Sequence, residues 1–372
     1  MNKKPLVLAI GVGLTMVAVD AAALEINPRG RIHVDYAMHD EDNSDLGDGF
    51  RARRARIGLS GKVDDDWSFQ IEYDFAENGS SANDVYVRYT GLDQGNITIG
   101  HFKVPFGLEE LTSSNNITLI ERSLPTTTFA QARRMGVSYS TSGDNWTAAV
   151  MGFGQSQGSG VRSTTGDEGL GLGGRVTFTP VNNDNNLFHL GIAASTESPE
   201  DKDISQVRFR TRPESRVTGV RLVDTGNISD VSSINQIGLE AAWKAGPFSV
   251  QSEWMRAEAS RRGGIDSVDF NGWYVSGSWV LTGESRGYRG GVFRGVSPQN
   301  PGGAWELTAR YSNVDLDDGP IEGGEETNWT LGVNWYANSR VRLMANYINV
   351  NTDRRGVSDD PNIFLMRAQV AF

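Results

Sequence analysis

Residues 362–372 alternate between two kinds of side chain. Every second position is apolar, and the positions between them are partly polar. The apolar set is Phe364, Met366, Ala368, Val370 and Phe372, and the other set is Leu365, Arg367, Gln369 and Ala371. A period of two residues predicts a strand whose two faces meet different surroundings. A last strand that ends on an aromatic residue is expected of an outer-membrane barrel, because it closes against the first strand and leaves no free edge.

The same alternation recurs along the chain and predicts sixteen strands. It begins near residue 31 and returns at residues 50–61, 67–75, 85–89, 96–103, from 134, and at 145–154, 169–180, 186–196, 233–244, 247–259, 269–282, 303–313, 327–337 and 340–350, before the terminal strand. Segments of about ten residues suit a tilted membrane crossing. The predicted fold class is all-β, a 16-stranded antiparallel transmembrane β-barrel, and a barrel this wide is expected to have a water-filled lumen.

The connections between the predicted strands alternate in length. The long ones are residues 40–49, 104–133, 155–168, 197–231 and 351–361, and the short ones include 62–65, 91–95, 141–144 and 337–339. Long loops on one rim and short turns on the other are typical of an up-and-down outer-membrane barrel. A soluble sandwich or a lipocalin-like barrel also alternates, but neither explains this asymmetry. Residues 283–302 are an exception, because they form a long connection on the short-turn side.

The N-terminus carries the pattern of an export signal. Lys3 and Lys4 precede an apolar run over residues 6–19, which Ala21, Ala22 and Ala23 follow. A basic segment, a short apolar segment and an A-x-A site predict a signal peptide over residues 1–23, with the barrel domain over residues 24–372. The alternative is an N-terminal membrane anchor, for which the run is short. The predicted location is the outer membrane of a bacterial cell.

The basic residues are almost all arginine. Of the 35 basic residues six are lysine and 29 are arginine, in a chain with a net charge of -11 and no cysteine. Arginine binds oxyanions with two parallel N–H groups and keeps its charge at any working pH. One cluster is Arg51, Arg53, Arg54 and Arg56. Strict alternation cannot put all four on one face, so we expect a β-bulge near Arg53 and Arg54.

A second arginine cluster lies in the connection 197–231 and includes Arg208, Arg210 and Arg212. In extended backbone these alternate residues share one face at intervals of about 6.6 Å, so that an anion can step between them. The arginines therefore favour anion selectivity. The alternative is a general diffusion channel, in which arginine rows oppose acidic rows supplied by residues such as Glu72, Asp74, Asp84 and Glu306.

Nothing in the sequence indicates catalysis. The four histidines are His33, His39, His101 and His189, and no two of them have the spacing of metal ligands or accompany a nucleophile motif. We therefore expect no enzyme activity, no metal and no cofactor. An outer-membrane enzyme and an adhesive role of the long loops remain the alternatives from other functional classes.

Several segments resemble one family. They include GRIHVDY (30–36), RRARIGLSG (53–61), DWSFQIEYD (66–74), FGLEELTSS (106–114) and LGVNWYAN (331–338). With these segments the chain resembles the phosphate-selective porins of the O and P type over nearly the whole mature sequence. The resemblance implies a homotrimer in outer-membrane lipid that passes inorganic anions such as phosphate or polyphosphate and has no nucleic-acid partner.

The resemblance also implies a set of site residues. Residues 104–133 correspond to a constriction loop that folds inward and narrows the pore. The positions that match the family's central anion site are Arg31, Ser113, Ser114 and Arg122, and those that match its arginine ladder are Arg53, Arg54, Arg210 and Arg212. Hydroxyl groups together with paired guanidinium groups can replace the hydration shell of an oxyanion.

The chain departs from the family pattern at three points. Glu110 stands where well-known members carry a lysine, and Asn83 stands beside Asp84 where they carry an acid. The predicted mature chain keeps only Lys62, Lys103, Lys202 and Lys244 as lysines, so a lysine-rich entrance is not expected. These departures leave open how strictly phosphate is preferred over chloride.

Overall fold

The computed structural model describes residues 24–76, 80–154, 169–199 and 205–372. The predicted signal peptide and the connection 155–168 lie outside these ranges. The long strands are β1 (Glu25–Asp40), β2 (Gly49–Lys62), β3 (Trp67–Asp74), β4 (Ser81–Tyr89), β5 (Asn96–Lys103), β6 (Arg133–Ser142), β7 (Trp146–Phe153), β8 (Gly171–Asn182), β9 (Asn186–Glu197), β10 (Val231–Ala245), β11 (Phe248–Arg261), β12 (Val268–Val280), β13 (Ala304–Asp318), β14 (Ile321–Tyr336), β15 (Val341–Arg354) and β16 (Asn362–Ala371).

Other elements are short. Helices α1 (Leu108–Leu111) and α2 (Leu124–Phe129) lie between β5 and β6. Two-residue strands pair Arg210–Thr211 with Val223–Asp224 and Tyr288–Arg289 with Val292–Phe293, and Val357–Ser358 extends the end of β15. Within the described ranges, no helix is both long and apolar enough to cross a membrane.

The sixteen long strands form a closed antiparallel barrel. Each strand pairs with the next, and β16 pairs with β1 from Arg31 opposite Ala371 to Asp40 opposite Asn362. The seam ends at Gly30 and Phe372, whose backbone groups exchange hydrogen bonds of 2.8 and 3.0 Å. The strand count and the antiparallel barrel predicted from the alternation are confirmed.

The alternation sorts side chains between the outer surface and the lumen. In β16, Phe364, Met366 and Val370 are exposed on the outer face, whereas Leu365 and Arg367 are buried on the inner face. The outward apolar side chains form a surface for lipid, which explains why they are exposed without polar neighbours.

Several short turns are closed by a side chain at their start. The carboxylate of Asp64 accepts hydrogen bonds from the backbone N–H groups of Asp66 and Trp67, at 2.9 and 2.7 Å. The side-chain oxygens of Asn183 and Asn338 accept bonds from the backbone in the same way at two other short turns. Such side chains replace the backbone partners that a tight turn leaves unpaired.

The arginine-rich strand β2 contains the predicted bulge. His33 pairs with Arg54 and Val34 pairs with Ala52, so Arg53 has no partner in β1. The extra residue reverses the alternation at this point, as expected of a β-bulge. Arg53, Arg54 and Arg56 consequently all reach acidic or polar partners inside the barrel.

Residues 104–132, which we call the inner loop, cross the lumen and pack against the opposite wall. The loop's Ile120 N–H donates to the side chain of Asn346 in β15 at 2.9 Å, and Glu253 in β11 accepts from the N–H groups of Leu108 and Glu109 at 3.0 and 2.6 Å. An apolar cluster lies between this loop and the wall: Phe106, Leu124, Phe129, Phe209, Met255, Phe270, Val314 and Leu316 are among its members. The lumen thus contains an apolar packed region between the inner loop and this wall, which the expectation of a water-filled lumen did not include.

The exceptional long connection between β12 and β13 also turns inward. Its two-residue strands form a small hairpin closed by Gly290 and Gly291, whose φ angles of 62° and 77° favour glycine at both positions. We call residues 288–293 the inner hairpin. Its Phe293 packs with Leu108 of the inner loop and Leu187 of the wall. The length of the connection is thus explained, because it reaches the inner loop from the other end of the barrel.

Candidate functional site

Three cavities follow one another along the part of the lumen that the inner loop leaves open. The outer cavity, of about 140 Å³, lies between the inner loop and the connection 205–230. The central cavity, of about 410 Å³, lies between the inner loop and the wall formed by β1 to β6. The inner cavity, of about 910 Å³, opens beside the short turns after β4 and β6. Arg122 lines both the outer and the central cavity, and Lys103 lines both the central and the inner cavity.

The outer cavity is lined mainly by arginines. Arg210 and Arg212, two positions of the predicted ladder, line it together with Arg122, Arg216 and Arg221. Arg208, the third member of the alternating triplet, is held by Asp224 through bonds of 2.6 and 2.5 Å and does not line this cavity. The acidic side chains here are Glu121 and Glu214.

The central cavity has a strong excess of positive charge. Nine cationic side chains line it, and Asp84 is the one carboxylate among the described residues of its lining. The cations are Arg29, Arg31, Arg54, Arg56, Arg88, Lys103, Arg122, Arg133 and Arg294. In a confined space lined by protein, this imbalance attracts anions.

The structure places Arg31 next to the two predicted serines. Its Nη1 donates to Ser114 Oγ at 3.0 Å and lies 3.4 Å from Ser113 Oγ, and its Nη2 donates to Glu72 at 3.1 Å. Glu72 is fully buried and also binds Arg56 at 3.3 Å. The acid therefore lies behind the arginines and fixes their orientation, while the serine hydroxyl groups remain at the cavity surface.

Arg53 and Arg54 have different surroundings although they are adjacent. Arg54 lines the central cavity and lies 3.2 Å from His33 Nδ1, whereas Arg53 donates to both carboxylate oxygens of Glu121, at 2.7 and 3.2 Å. Burial alone would raise the pKa of Glu121, but Arg53, Arg54 and Arg367 hold it well below its usual range. Arg53 thus fixes the inner loop through an ionised partner.

Arg122 and Lys103 share one acidic partner. Glu110 lies 3.1 Å from Arg122 Nε and 3.0 Å from Lys103 Nζ, and its backbone oxygen accepts a hydrogen bond from each of them. Arg122 also donates to the backbone oxygens of Glu109 and Thr112, at 3.0 and 2.9 Å. The predicted central residues Arg31, Ser113, Ser114 and Arg122 all line one cavity, but Arg122 is also bound to the inner loop.

The sequence profile of the family described as phosphate-selective porin O and P matches residues 26–372. The chain belongs to this family. Porin O of Pseudomonas aeruginosa is 29% identical to this porin over 92% of the chain and 87% of the relative. An uncharacterised protein of Caulobacter vibrioides is 29% identical over 86% of the chain and 67% of its own length.

Solved structures of other porins share the fold. An anion-selective porin from Comamonas acidovorans aligns with a TM-score of 0.61 and 15% identity, over 94% of this porin and all of that chain. OmpT of Vibrio cholerae in its trimer form aligns with a TM-score of 0.61 and 13% identity over the same shares. Together with the family, this fold identifies a channel protein of the bacterial outer membrane rather than an enzyme.

Several residues of the porin that line the cavities did not stand out in the sequence. Arg29, Arg88 and Arg133 lie outside the two arginine clusters, and one or two arginines at a strand give no signal of their function. Arg294 reaches the central cavity only because the inner hairpin folds back, and this fold depends on contacts with distant residues. The sequence feature that indicated such residues as a group is the excess of arginine over lysine.

Proposed function

We propose that the protein is a homotrimeric, passive porin that prefers anions and passes phosphate or polyphosphate. The observation that carries this proposal is the lining of the central cavity, where nine cationic side chains meet one carboxylate. An anion enters among the arginines of the outer cavity, passes Arg122, and is coordinated by Arg31, Ser113 and Ser114 before it leaves past Lys103. No chemical step, cofactor or metal is required.

The placement of the acidic residues also supports anion preference. In a general diffusion channel, acidic rows would face the arginine rows across the open passage. Here Glu72 is fully buried behind Arg31 and Arg56, and Glu306 is fully buried against Asn334 and Tyr336, to which it is bonded at 2.8 Å each. Because these carboxylates are bound to the wall, they do not form an opposing row.

A chain of cationic positions through three cavities suits an extended anion as well as a small one. Cations shared between neighbouring cavities allow one oxyanion group to be bound before the preceding group is released. The description of the matching family, phosphate-selective porin O and P, also supports phosphate as the solute.

The test is electrical. The purified porin is inserted into a planar bilayer under a KCl gradient, and the sign of the reversal potential gives the preferred ion. Inorganic phosphate is then titrated onto the chloride current. We expect an anion-selective reversal potential and a block by phosphate at concentrations well below that of chloride. Cation selectivity, or the absence of block, would identify a general diffusion porin instead.

The central cavity is tested with Arg31→Ala. Glu72 keeps Arg56 and Arg29 as partners, at 3.3 and 3.6 Å, so this change leaves no buried acid unpaired. Loss of one charge-assisted contact to phosphate should raise the half-blocking concentration about tenfold or more. The control is Arg256→Ala, which removes an exposed arginine that lies outside the three cavities. Equal effects of the two changes would contradict the assignment of Arg31 to a phosphate site in the central cavity.

A further inference from the structure

Glu110 lies at the junction of the three cavities without lining them. Its carboxylate contacts Arg122, which lines the outer and central cavities, and Lys103, which lines the central and inner cavities. One acidic side chain therefore holds both cations that an anion must pass in sequence. The contacts are short, at 3.1 and 3.0 Å, and Glu110 itself is buried.

The two cations differ in how firmly they are fixed. Arg122 makes three hydrogen bonds to backbone oxygens of the inner loop in addition to its contact with the carboxylate. Lys103 binds the Glu110 carboxylate and the Glu110 backbone oxygen. Among the described residues that line the three cavities, Lys103 is the single lysine, and a lysine is a flexible point charge that changes partners more easily than an arginine.

A cavity with nine cations and one carboxylate has a physical disadvantage for transport. An oxyanion held by several charge-assisted hydrogen bonds leaves slowly, whereas conduction requires that binding be weak enough for release. An acid that already binds two of the cations lowers the net attraction. Burial alone would raise the pKa of Glu110, but Arg122 and Lys103 lower it, so that the carboxylate stays ionised.

We propose that the carboxylate of Glu110 competes with the passing oxyanion for Lys103 and Arg122. This competition speeds the release of the oxyanion into the inner cavity. Lys103 turns from Glu110 toward the oxyanion as it leaves the central cavity, and returns to Glu110 when the oxyanion has gone. This inference rests on the proposed function, since it concerns the rate at which the same pathway releases its anion.

The test compares Glu110→Gln with the wild-type porin in planar bilayers, with inorganic phosphate as the probe. Glutamine keeps the shape and a hydrogen-bonding oxygen but removes the competing charge. We expect the half-blocking phosphate concentration to fall about tenfold, which corresponds to about 1.4 kcal/mol. The current carried by phosphate at saturation should fall as well, because release becomes slower. Glu110→Asp, which keeps the charge on a shorter side chain, should give a smaller shift in the same direction.

Two matched controls separate this competition from a general field effect. Asp84→Asn removes a negative charge that lines the central cavity, where Asp84 is bonded to Arg133 at 2.9 and 3.0 Å. Glu284→Gln removes one from the base of the inner hairpin, where Glu284 binds Thr282 and the N–H of Gln299. Only Glu110→Gln should both tighten the block and lower the saturating current.

The outcomes distinguish the two proposals. A wild-type porin that phosphate does not block would overturn the proposed function and this inference together. A wild-type porin that is blocked, with Glu110→Gln unchanged or weaker in block, would overturn this inference alone. An equal effect of Asp84→Asn and Glu110→Gln would also overturn it, because the change in electrostatic potential within the cavity would then account for both.

Discussion

At the scale of single residues, the arginines of this porin have two tasks. One group lines the cavities, and a second group on the wall binds the inner loop. Arg342 donates to the backbone oxygens of Ile117 and Thr118, at 2.8 and 3.2 Å, and Arg367 binds both Asp35 and Glu121. Arg310 binds Glu109 and the backbone oxygen of Glu121. The arginine content of the chain therefore reports on loop attachment as well as on ion preference.

Removal of a wall arginine should loosen the inner loop. Arg342→Ala removes the arginine donor from the buried backbone oxygen of Ile117, whereas that of Thr118 keeps the side-chain amide of Asn334 at 2.8 Å; an unpaired buried oxygen costs about 1–3 kcal/mol. We expect a larger and noisier single-channel conductance and a weaker anion preference. The matched control is Arg340→Ala, which removes an exposed arginine two positions away. The prediction fails if both variants conduct alike.

The ion pair between Arg53 and Glu121 predicts a pH dependence. Because the pKa of Glu121 in the folded protein is well below 4.5, its pairing stabilises the attached loop fully above about pH 4.5. This stabilisation is lost as the pH falls through the lower, folded value. In KCl alone, fluctuations of the conductance that report on loop movement should stay constant from pH 7 to 4.5 and increase only in more acidic solution. Onset of these fluctuations between pH 7 and 5 would show that another group controls the loop.

At the scale of elements, the strands could be predicted from local patterns, whereas long-range packing could not be predicted from spacing alone. The strands and the bulge at Arg53 follow from a period of two residues, which is a property of neighbouring positions. The packing of the inner loop against the wall and the inward course of the inner hairpin depend on contacts such as Phe293 with Leu108. The central residues Ser113 and Ser114 came from the family resemblance, because no pattern of spacing distinguishes two serines in a loop.

The inner hairpin should restrict the pore from the short-turn side. Replacing residues 284–302 with a short turn removes Arg294 from the central cavity and the bond from Arg286 to the backbone oxygen of Asn116, at 3.2 Å. We expect a higher conductance and a weaker block by phosphate. Arg294→Ala alone should weaken the block with a smaller change in conductance, since the hairpin remains. A deletion variant with wild-type conductance would show that the hairpin does not limit the flow of ions.

At the scale of the whole molecule, the closure of the barrel fixes the register of every strand. The seam pairs Val34 with Ala368 and Ile32 with Val370, all on the outer face. A shift of one residue would move the outward set to the lumen, which makes the register strongly specified. The seam therefore determines which residues of β1 meet the inner loop.

The register can be tested chemically because the chain has no cysteine. Val34→Cys combined with Ala368→Cys places two thiols on directly opposite residues, at a separation that a disulfide can span. We expect this pair to form an intramolecular disulfide on mild oxidation, detected by mobility on gels after unfolding. Val34→Cys combined with Val370→Cys is offset by two residues and should oxidise poorly. The opposite result would mean that the seam has another register.

The wall of this barrel is divided in a way that follows the order of the chain. Wall residues that line the central and inner cavities come from β1 to β8, whereas side chains that hold the inner loop from the opposite side come from β10 to β16. A single genetic crossover near the end of β9 would therefore combine the wall of the central and inner cavities from one parent porin with the loop-binding wall from the other. Because the inner loop precedes β9, the same crossover would also join the loop of one parent to the loop-binding wall of the other, so a working recombinant requires that these side chains match between the two parents.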